Sequence, residues 1–322
     1  MHSFSFPTDI RMSAGLRFEI GKMLVERGFK RPLLVADSGI AALDIFSKLC
    51  QSLESAGLNV AKYHDFQGNP VEADVIAGAN IAKSHTADAM VIIGGGAALD
   101  VGKAIGLMTY NPGTLFDYED IPGAREATEL IPFMVTIPTT AGTGSEVGRS
   151  SVISENISKA KKIIFSPKLL PPLVIVDPEL TVGLPQHVTA ATGMDALTHL
   201  IEAYLAKGYH PMCDGIALQG IKMVGENLAL ACSQPNNLTA RGEMLMAALM
   251  GAVAFQKGLG ITHSCAHALS TVFDLHHGLA NSLMLKACMN FNRVAVPERF
   301  SDMARMVGIY EEKHELAGNR FI

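Results

Sequence analysis

Along the first half of the chain, short continuous apolar runs alternate with stretches whose apolar residues recur at helical spacing. Residues 32–37 (PLLVAD), 59–63, 89–93, 133–137 and 173–176 are runs of strand length. A continuous apolar run that short suits a strand buried on both faces. Residues 40–56 and 71–84 carry the helical period instead, and Gly57 offers the first of them a C-terminal stop. Strands alternating with helices predict a largely parallel sheet covered on both faces. The proline-containing stretches 111–122 and 166–172 read as connecting loops. After about Pro185 the pattern changes. Residues 188–206, 214–232, 238–255, 263–272 and 281–291 all hold the helical period, with hardly a strand run among them. The chain therefore reads as an α/β domain over residues 1–182, followed by an all-helical domain over 183–322.

Composition narrows the function classes. The 322 residues are 48% hydrophobic and 18% charged, and the net charge of -5 leaves no basic footprint for nucleic acid. No apolar run reads as reaching the roughly 18–20 residues that a membrane span needs. The opening MHSFSFPTDI lacks the basic-then-apolar order of a secretory leader. Cysteines 50, 213, 232, 265 and 288 are odd in number and lack CxxC spacing. They read as reduced thiols of a cytoplasmic protein rather than as a disulfide framework.

Candidate chemistry in the first half gathers where strands end. Residues 89–103 (AMVIIGGGAALDVGK) are a buried strand, three glycines and a helix with Asp100 and Lys103 in its first turns. Glycines admit a pyrophosphate close to the backbone, and a helix N-terminus offers it free N–H groups. Residues 137–146 (IPTTAGTGSE) lead a second strand into small hydroxyl residues, Thr139, Thr140, Thr143 and Ser145. Asp37 ends the first strand, where a carboxylate accepts hydrogen bonds from ribose hydroxyls and repels a 2′-phosphate. That predicts NAD(H) over NADP(H). Each feature taken singly also suits a tight turn or an ordinary polar loop.

The helical half carries ligand-type residues at helical spacing. Asp195 and His199 in AATGMDALTHLIEAY are four apart, as are His263 and His267 in THSCAHALSTVFDLHHG. Such pairs share a helix face. His277 stands just before Gly278. Two helices that each present a ligand pair inward build a metal site in a bundle. One carboxylate and several imidazoles without thiolate favour a borderline divalent metal: iron(II), zinc, nickel or cobalt. A single histidine reads as well as a solvated or hydrogen-bonded core residue; the set with Asp195 reads as ligands. Cys265 reads as packing, because a helix points adjacent residues in different directions.

The ordered segments GGGAALDVGK, PTTAGTGSE, VDPELTVGLP, ATGMDALTHLIEAY and KGLGITHSCAHALSTVFDLHHGLAN resemble the iron-containing alcohol dehydrogenase family. The similarity is to its lactaldehyde and 1,3-propanediol dehydrogenase branch, and it runs along nearly the whole chain. The resemblance implies a Rossmann-like dinucleotide-binding domain and a helical metal domain in the dehydroquinate synthase-like architecture. It implies an NAD(H)-dependent alcohol dehydrogenase that uses one divalent metal, iron(II) first, on a small alcohol or aldehyde. It makes Asp195, His199, His263 and His277 the metal ligands and puts His267 beside metal and substrate as a polar neighbour or proton relay rather than a ligand. Asp37, Asn69, Gly95, Gly96, Asp100, Thr139, Thr140, Thr143 and Lys161 fall where the family contacts its cofactor, with Lys162 as the neighbour of the last. It also implies a homodimer or larger homo-oligomer. Two departures stand out. Ala97 replaces the serine usual after the glycine triplet, and the chain stops at Ile322, tens of residues before the family's further C-terminal helices. The rival expectations are a lyase of related fold, a hydroxyacid-oxoacid transhydrogenase and a truncated, inactive member.

Overall fold

The computed structural model describes residues 6, 8–158, 160–273 and 275–322; residues 1–5, on which the reading of a leader partly falls, lie outside the described residues. The chain divides into two compact units, one holding residues 8–139 and 145–180, the other 140–144 and 181–322.

The first unit is α/β. In chain order it contains β1 (Asp9–Met12), α1 (Ile20–Glu26), β2 (Pro32–Val35), α2 (Ser38–Ala41), α3 (Asp44–Ser55), β3 (Ala61–Tyr63), α4 (Glu72–His85), β4 (Ala89–Gly94), α5 (Gly96–Tyr110) and β5 (Phe133–Pro138). A hairpin, β6 (Ser150–Ser154) and β7 (Lys161–Phe165), and the strand β8 (Leu173–Val176) complete it. Among the described residues six strands form one sheet in the order β1-β8-β5-β4-β2-β3, and every pairing in it is parallel.

Strand alternation explains why these runs are apolar throughout. Successive side chains leave a strand on opposite faces, and here both faces are covered. Leu33, Val35, Met90, Ile92 and Met134 join one core with Val75 and Ala79 of α4 and Ala104 and Ile105 of α5. Leu34, Val91, Ile93, Val135, Ile137 and Ile175 join another with Leu24 of α1 and Leu49 and Leu53 of α3. Three elements depart from the sequence pattern. The helix expected over 40–56 is two helices, because Leu43 between them is extended at φ -93, ψ 150. β1 carries no apolar run, being largely exposed DIRM at the sheet edge. The antiparallel hairpin of β6 and β7 is exposed at alternate positions of β7.

The second unit is helical: α6 (Gln186–Leu205), α7 (Pro211–Ser233), α8 (Leu238–Ala254), α9 (Ile261–Phe273), α10 (His277–Arg293), α11 (Pro297–Met306) and α12 (His314–Phe321). The stretch Leu238–Lys257, which spans α8, is long and apolar enough to cross a membrane, unlike the sequence reading. It is 67% buried inside the structure, as a core helix is. Its apolar run is set by neighbours on all sides.

Candidate metal centre and cofactor elements

The carboxyl ends of parallel strands lie at one edge of the sheet, and the cofactor candidates of the α/β unit follow those ends. Asp37 comes after β2, Asn69 in the exposed loop after β3, Gly95 and Gly96 after β4, and Thr139 after β5. The chain runs outward from β2 to β3 and returns to β4 on the other side of β2. Asp37 and the glycines therefore flank the point where strand order reverses, the place ligands occupy in open α/β sheets. Gly94 has φ 153, and a Cβ on it would lie 2.5 Å from Ala98 Cβ and 3.3 Å from Asp37 Oδ2. No larger residue fits that turn unstrained. Gly95 is the N-cap of the 15-residue α5 and offers no side-chain cap, so the helix's leading N–H groups stay available.

Asp100 has a different environment. Its Oδ1 accepts from Ser145 Oγ at 2.5 Å, its Oδ2 from Val152 N at 3.0 Å, and Lys103 Nζ is 3.2 Å away. Lys103 is fully buried and donates to the carbonyls of Ser145 and Ser150. This network ties α5 to β6. Lys161 opens β7 as an exposed residue, whereas Lys162 pairs with Glu119 and Glu155 and lies over the Phe116 ring. Thr139 is buried and its N–H donates to the Gly94 carbonyl at 3.0 Å. Thr140 and Thr143 belong to the short segment that clusters with the helical unit. There Gly142 approaches α6 closely: a Cβ on it would be 2.9 Å from Thr192 Cβ.

In the helical unit α6 places Asp195 and His199 one turn apart, α9 carries His263 in its first turn, and α10 begins with His277. The helices meet closely because Gly278 has no side chain; a Cβ there would fall 2.3 Å from the Ala191 carbonyl oxygen. One ligand atom each from Asp195, His263 and His277 lies within 4.8 Å of the others. Asp195 Oδ1 is 3.8 Å from His263 Nε2 and 3.7 Å from His277 Nε2. His199 joins by stacking on His263, ring centroids 4.5 Å apart. His267 is exposed one turn along α9, its ring 5.0 Å from that of His277.

The donor chemistry fits a divalent cation. Asp195, His199 and His263 are 2, 5 and 3% exposed. Burial holds both His199 and His277 down at about 4, with the facing Asp195 pulling the other way. Their imidazoles are thus neutral at physiological pH, with lone pairs to offer. Burial pushes Asp195 up, but the imidazoles of His199, His277 and His263 and the Asn281 amide outweigh it and hold the carboxyl below the usual range. The Asn281 Nδ2 amide lies 2.7 Å from Asp195 Oδ1, 3.3 Å from His263 Nε2 and 3.2 Å from His277 Nε2. Three acceptors converge on a group with two hydrogens. His199 Nδ1 is buried without a hydrogen-bond partner among the described residues. A set of electron-pair donors so arranged matches a metal better than it matches its own hydrogen bonds.

The sequence reading did not single out Asn281 or Glu202. Both were within reach by spacing, Asn281 one turn after His277 and Glu202 one turn after His199. Glu202 is buried against His263, and its carboxyl is held down at about 2: burial opposes this, and hydrogen bonds from His263, Thr262 and Gly260 prevail.

Residues 7–178 match the model of the family described as "Iron-containing alcohol dehydrogenase", and residues 189–320 that of "Fe-containing alcohol dehydrogenase family, C-terminal". The chain is 38% identical over 309 residues to the NAD-dependent methanol dehydrogenase of Bacillus methanolicus, covering 96% of this chain and 80% of that protein. Among solved structures it superposes on a 1,3-propanediol oxidoreductase with a TM-score of 0.94 at 35% identity, over all of this chain and 84% of the other. A sulfoacetaldehyde reductase from Bifidobacterium kashiwanohense, solved with NAD+, gives a TM-score of 0.91 at 29% identity, again over all of this chain and 84% of the other.

Proposed function

This chain belongs to the iron-containing alcohol dehydrogenase family, and from that premise we propose that it interconverts small primary alcohols or diols with their aldehydes or ketones. It is a metal-dependent NAD(H) alcohol dehydrogenase. The observation that carries the proposal is the convergence of buried Asp195 and His263 with half-buried His277, one ligand atom of each within 4.8 Å of the others. The names of the relatives, which include a methanol and a 1,3-propanediol enzyme, support small alcohols as substrates.

Asp195, His199, His263 and His277 would hold the metal, iron(II) first among the divalent candidates. When bound there it supplies Lewis acidity, which lowers the pKa of an alcohol hydroxyl and polarises a carbonyl. The protein's part is position and charge. His199 and His277 keep their lone pairs through neutral pH because burial has lowered both. Asp195 contributes the one negative charge among the four, and Asn281 steadies it through the 2.7 Å bond. His267, exposed beside His277, takes the hydroxyl proton toward solvent. In the α/β unit, Gly95, Gly96 and the N-terminus of α5 would receive the cofactor pyrophosphate, while Asp37 would accept from the ribose hydroxyls. NAD supplies the hydride acceptor, and the protein supplies its placement. We also read the protein as a cytoplasmic homo-oligomer. Free thiols at all five cysteines suit the first, and the family resemblance supports the second.

The test is metal analysis of the purified protein beside an assay of NADH oxidation with a panel of small aldehydes, before and after chelation. The expected result is bound metal and a rate that falls on chelation and returns with iron(II) or zinc. A folded protein that binds none of iron, zinc, nickel or cobalt overturns the proposed centre.

A further inference from the structure

Glu202 has no part in the chemistry above, yet its carboxylate is held by hydrogen bonds from three backbone N–H groups and a histidine ring. It sits on α6, is 2% exposed, and faces the start of α9. Its carboxylate accepts from Gly260 N at 3.0 Å, Thr262 N at 2.6 Å, His263 N at 3.3 Å and His263 Nδ1 at 2.7 Å. The approach leaves room for nothing else: a Cβ on Gly260 would lie 2.7 Å from Glu202 Oε1.

An ionised carboxylate only accepts hydrogen bonds. The 2.7 Å contact therefore places the ring hydrogen of His263 on Nδ1. The other ring nitrogen agrees independently. His263 Nε2 faces the amide nitrogen of Asn281 at 3.3 Å, and that amide is oriented by its donation to Asp195 Oδ1 at 2.7 Å. Both edges of the ring select one tautomer, with the Nε2 lone pair directed toward Asp195 and His277. An imidazole without such partners exchanges between its two tautomers, and in one of them Nε2 has no pair to give.

We propose that Glu202 is a positioning residue of the metal centre: it locks His263 as the Nδ1–H tautomer and pins the first turn of α9, so that Nε2 is presented to the metal. The inference rests on the reading of His263 as a ligand. A glutamine at this position is nearly isosteric. It has one oxygen where Glu202 uses two: with that oxygen in the Oε1 place, accepting from Thr262 N, its NH2 takes the Oε2 place, a donor where His263 Nδ1 and Gly260 N need an acceptor. A role confined to packing would survive that exchange; tautomer control would not.

The experiment measures the zinc dissociation constant by chelator competition for the full-length wild type, Glu202→Gln and His263→Ala, with far-ultraviolet circular dichroism as the check on folding. Folded Glu202→Gln is expected to bind zinc about 10–100-fold more weakly than wild type, as loss of an outer-sphere partner does. If His263→Ala loses zinc while folded Glu202→Gln stays within about twofold of wild type, the ligand reading stands and the role of Glu202 is overturned. If His263→Ala binds zinc as wild type does, the ligand reading itself falls and takes the inference with it. Should Glu202→Gln fail to fold, the chelator-stripped wild type decides. Nitrogen-15 spectra of labelled histidine at mild alkaline pH are expected to show the Nδ1–H pattern for the resonance missing in His263→Ala. The Nε2–H pattern there overturns the proposal.

Discussion

Asp37 divides its carboxylate between two tasks. Oδ1 accepts from Ile40 N at 3.0 Å and caps α2, while Oδ2 is turned toward Gly94 at the end of β4. On the proposed cofactor role, the second oxygen would accept from a ribose, and its charge is the one a 2′-phosphate would meet. Exchange for glycine gives up only a few tenths of a kcal/mol of capping, so the fold tolerates it. Asp37→Gly is expected to lower the preference for NADH over NADPH by about tenfold or more, equivalent to about 1.4 kcal/mol of lost repulsion. Steady-state kinetics with both cofactors read the ratio directly, and an unchanged ratio removes Asp37 from cofactor choice. His267 poses the complementary question in the helical unit. It is exposed, whereas His263 one turn earlier is buried. His267→Ala is expected to keep its metal and to slow turnover or shift its pH profile. Metal content and a pH–rate series on the same preparation check both halves of that expectation.

At the scale of elements, α6 is the spine of the centre. Asp195, His199 and Glu202 succeed one another at intervals of four and three, so one face of one helix holds two proposed ligands and the partner of a third. α9 and α10 each add their histidine in the first turn, where the helix start fixes its direction. This arrangement needs α10 to touch α6, and Gly278 permits the contact. Gly278→Ala drives a methyl group into the Ala191 carbonyl and displaces His277 beside it. Overpacking of this kind costs about 1–3 kcal/mol. The variant is therefore expected to melt earlier and to bind zinc more weakly, and thermal unfolding with a zinc titration measures the two effects. Most of the longer helices were legible because each keeps its own apolar period; the shorter α1, α11 and α12 were not read as helices of their own. Glu202 and Asn281 stood at the right spacing, but nothing local marks a glutamate or an asparagine as aimed at a histidine. β1 and the β6–β7 hairpin were not legible either, since edge and exposed strands lack the double-sided apolar run that gives a central strand away.

At the scale of the whole molecule, the stability of the α/β unit carries its own pH signature. Glu146 is 2% exposed, and burial lifts its carboxyl from 4.5 to about 7, with its own backbone and the charge on Lys103 opposing. Between those two values the native chain keeps a proton that the unfolded chain has released. Stability therefore falls as pH rises across that window and, for this group, levels off above it. The slope approaches about 1.4 kcal/mol per pH unit in the middle of the window. Glu146→Gln cannot titrate and is expected to lack that contribution. Urea unfolding of wild type and variant at the two ends of the window should show the wild type losing more stability toward neutral pH; parallel losses would place the proton elsewhere.

What the sequence determined by itself was local in origin. The two-face apolar runs defined the central strands, the helical period defined most of the second half, the glycines after β4 defined the tight strand-to-helix turn, and four-residue spacing paired Asp195 with His199. Each depends only on residues within a turn or a strand of one another. What the tertiary structure alone decided was which of these meet. His263 finds Glu202 across 61 residues, and Asn281 finds Asp195 across 86. Periodicity tells a helix which face to bury but not against what. That choice belongs to packing, and packing turns four separate polar residues into one buried set of donors.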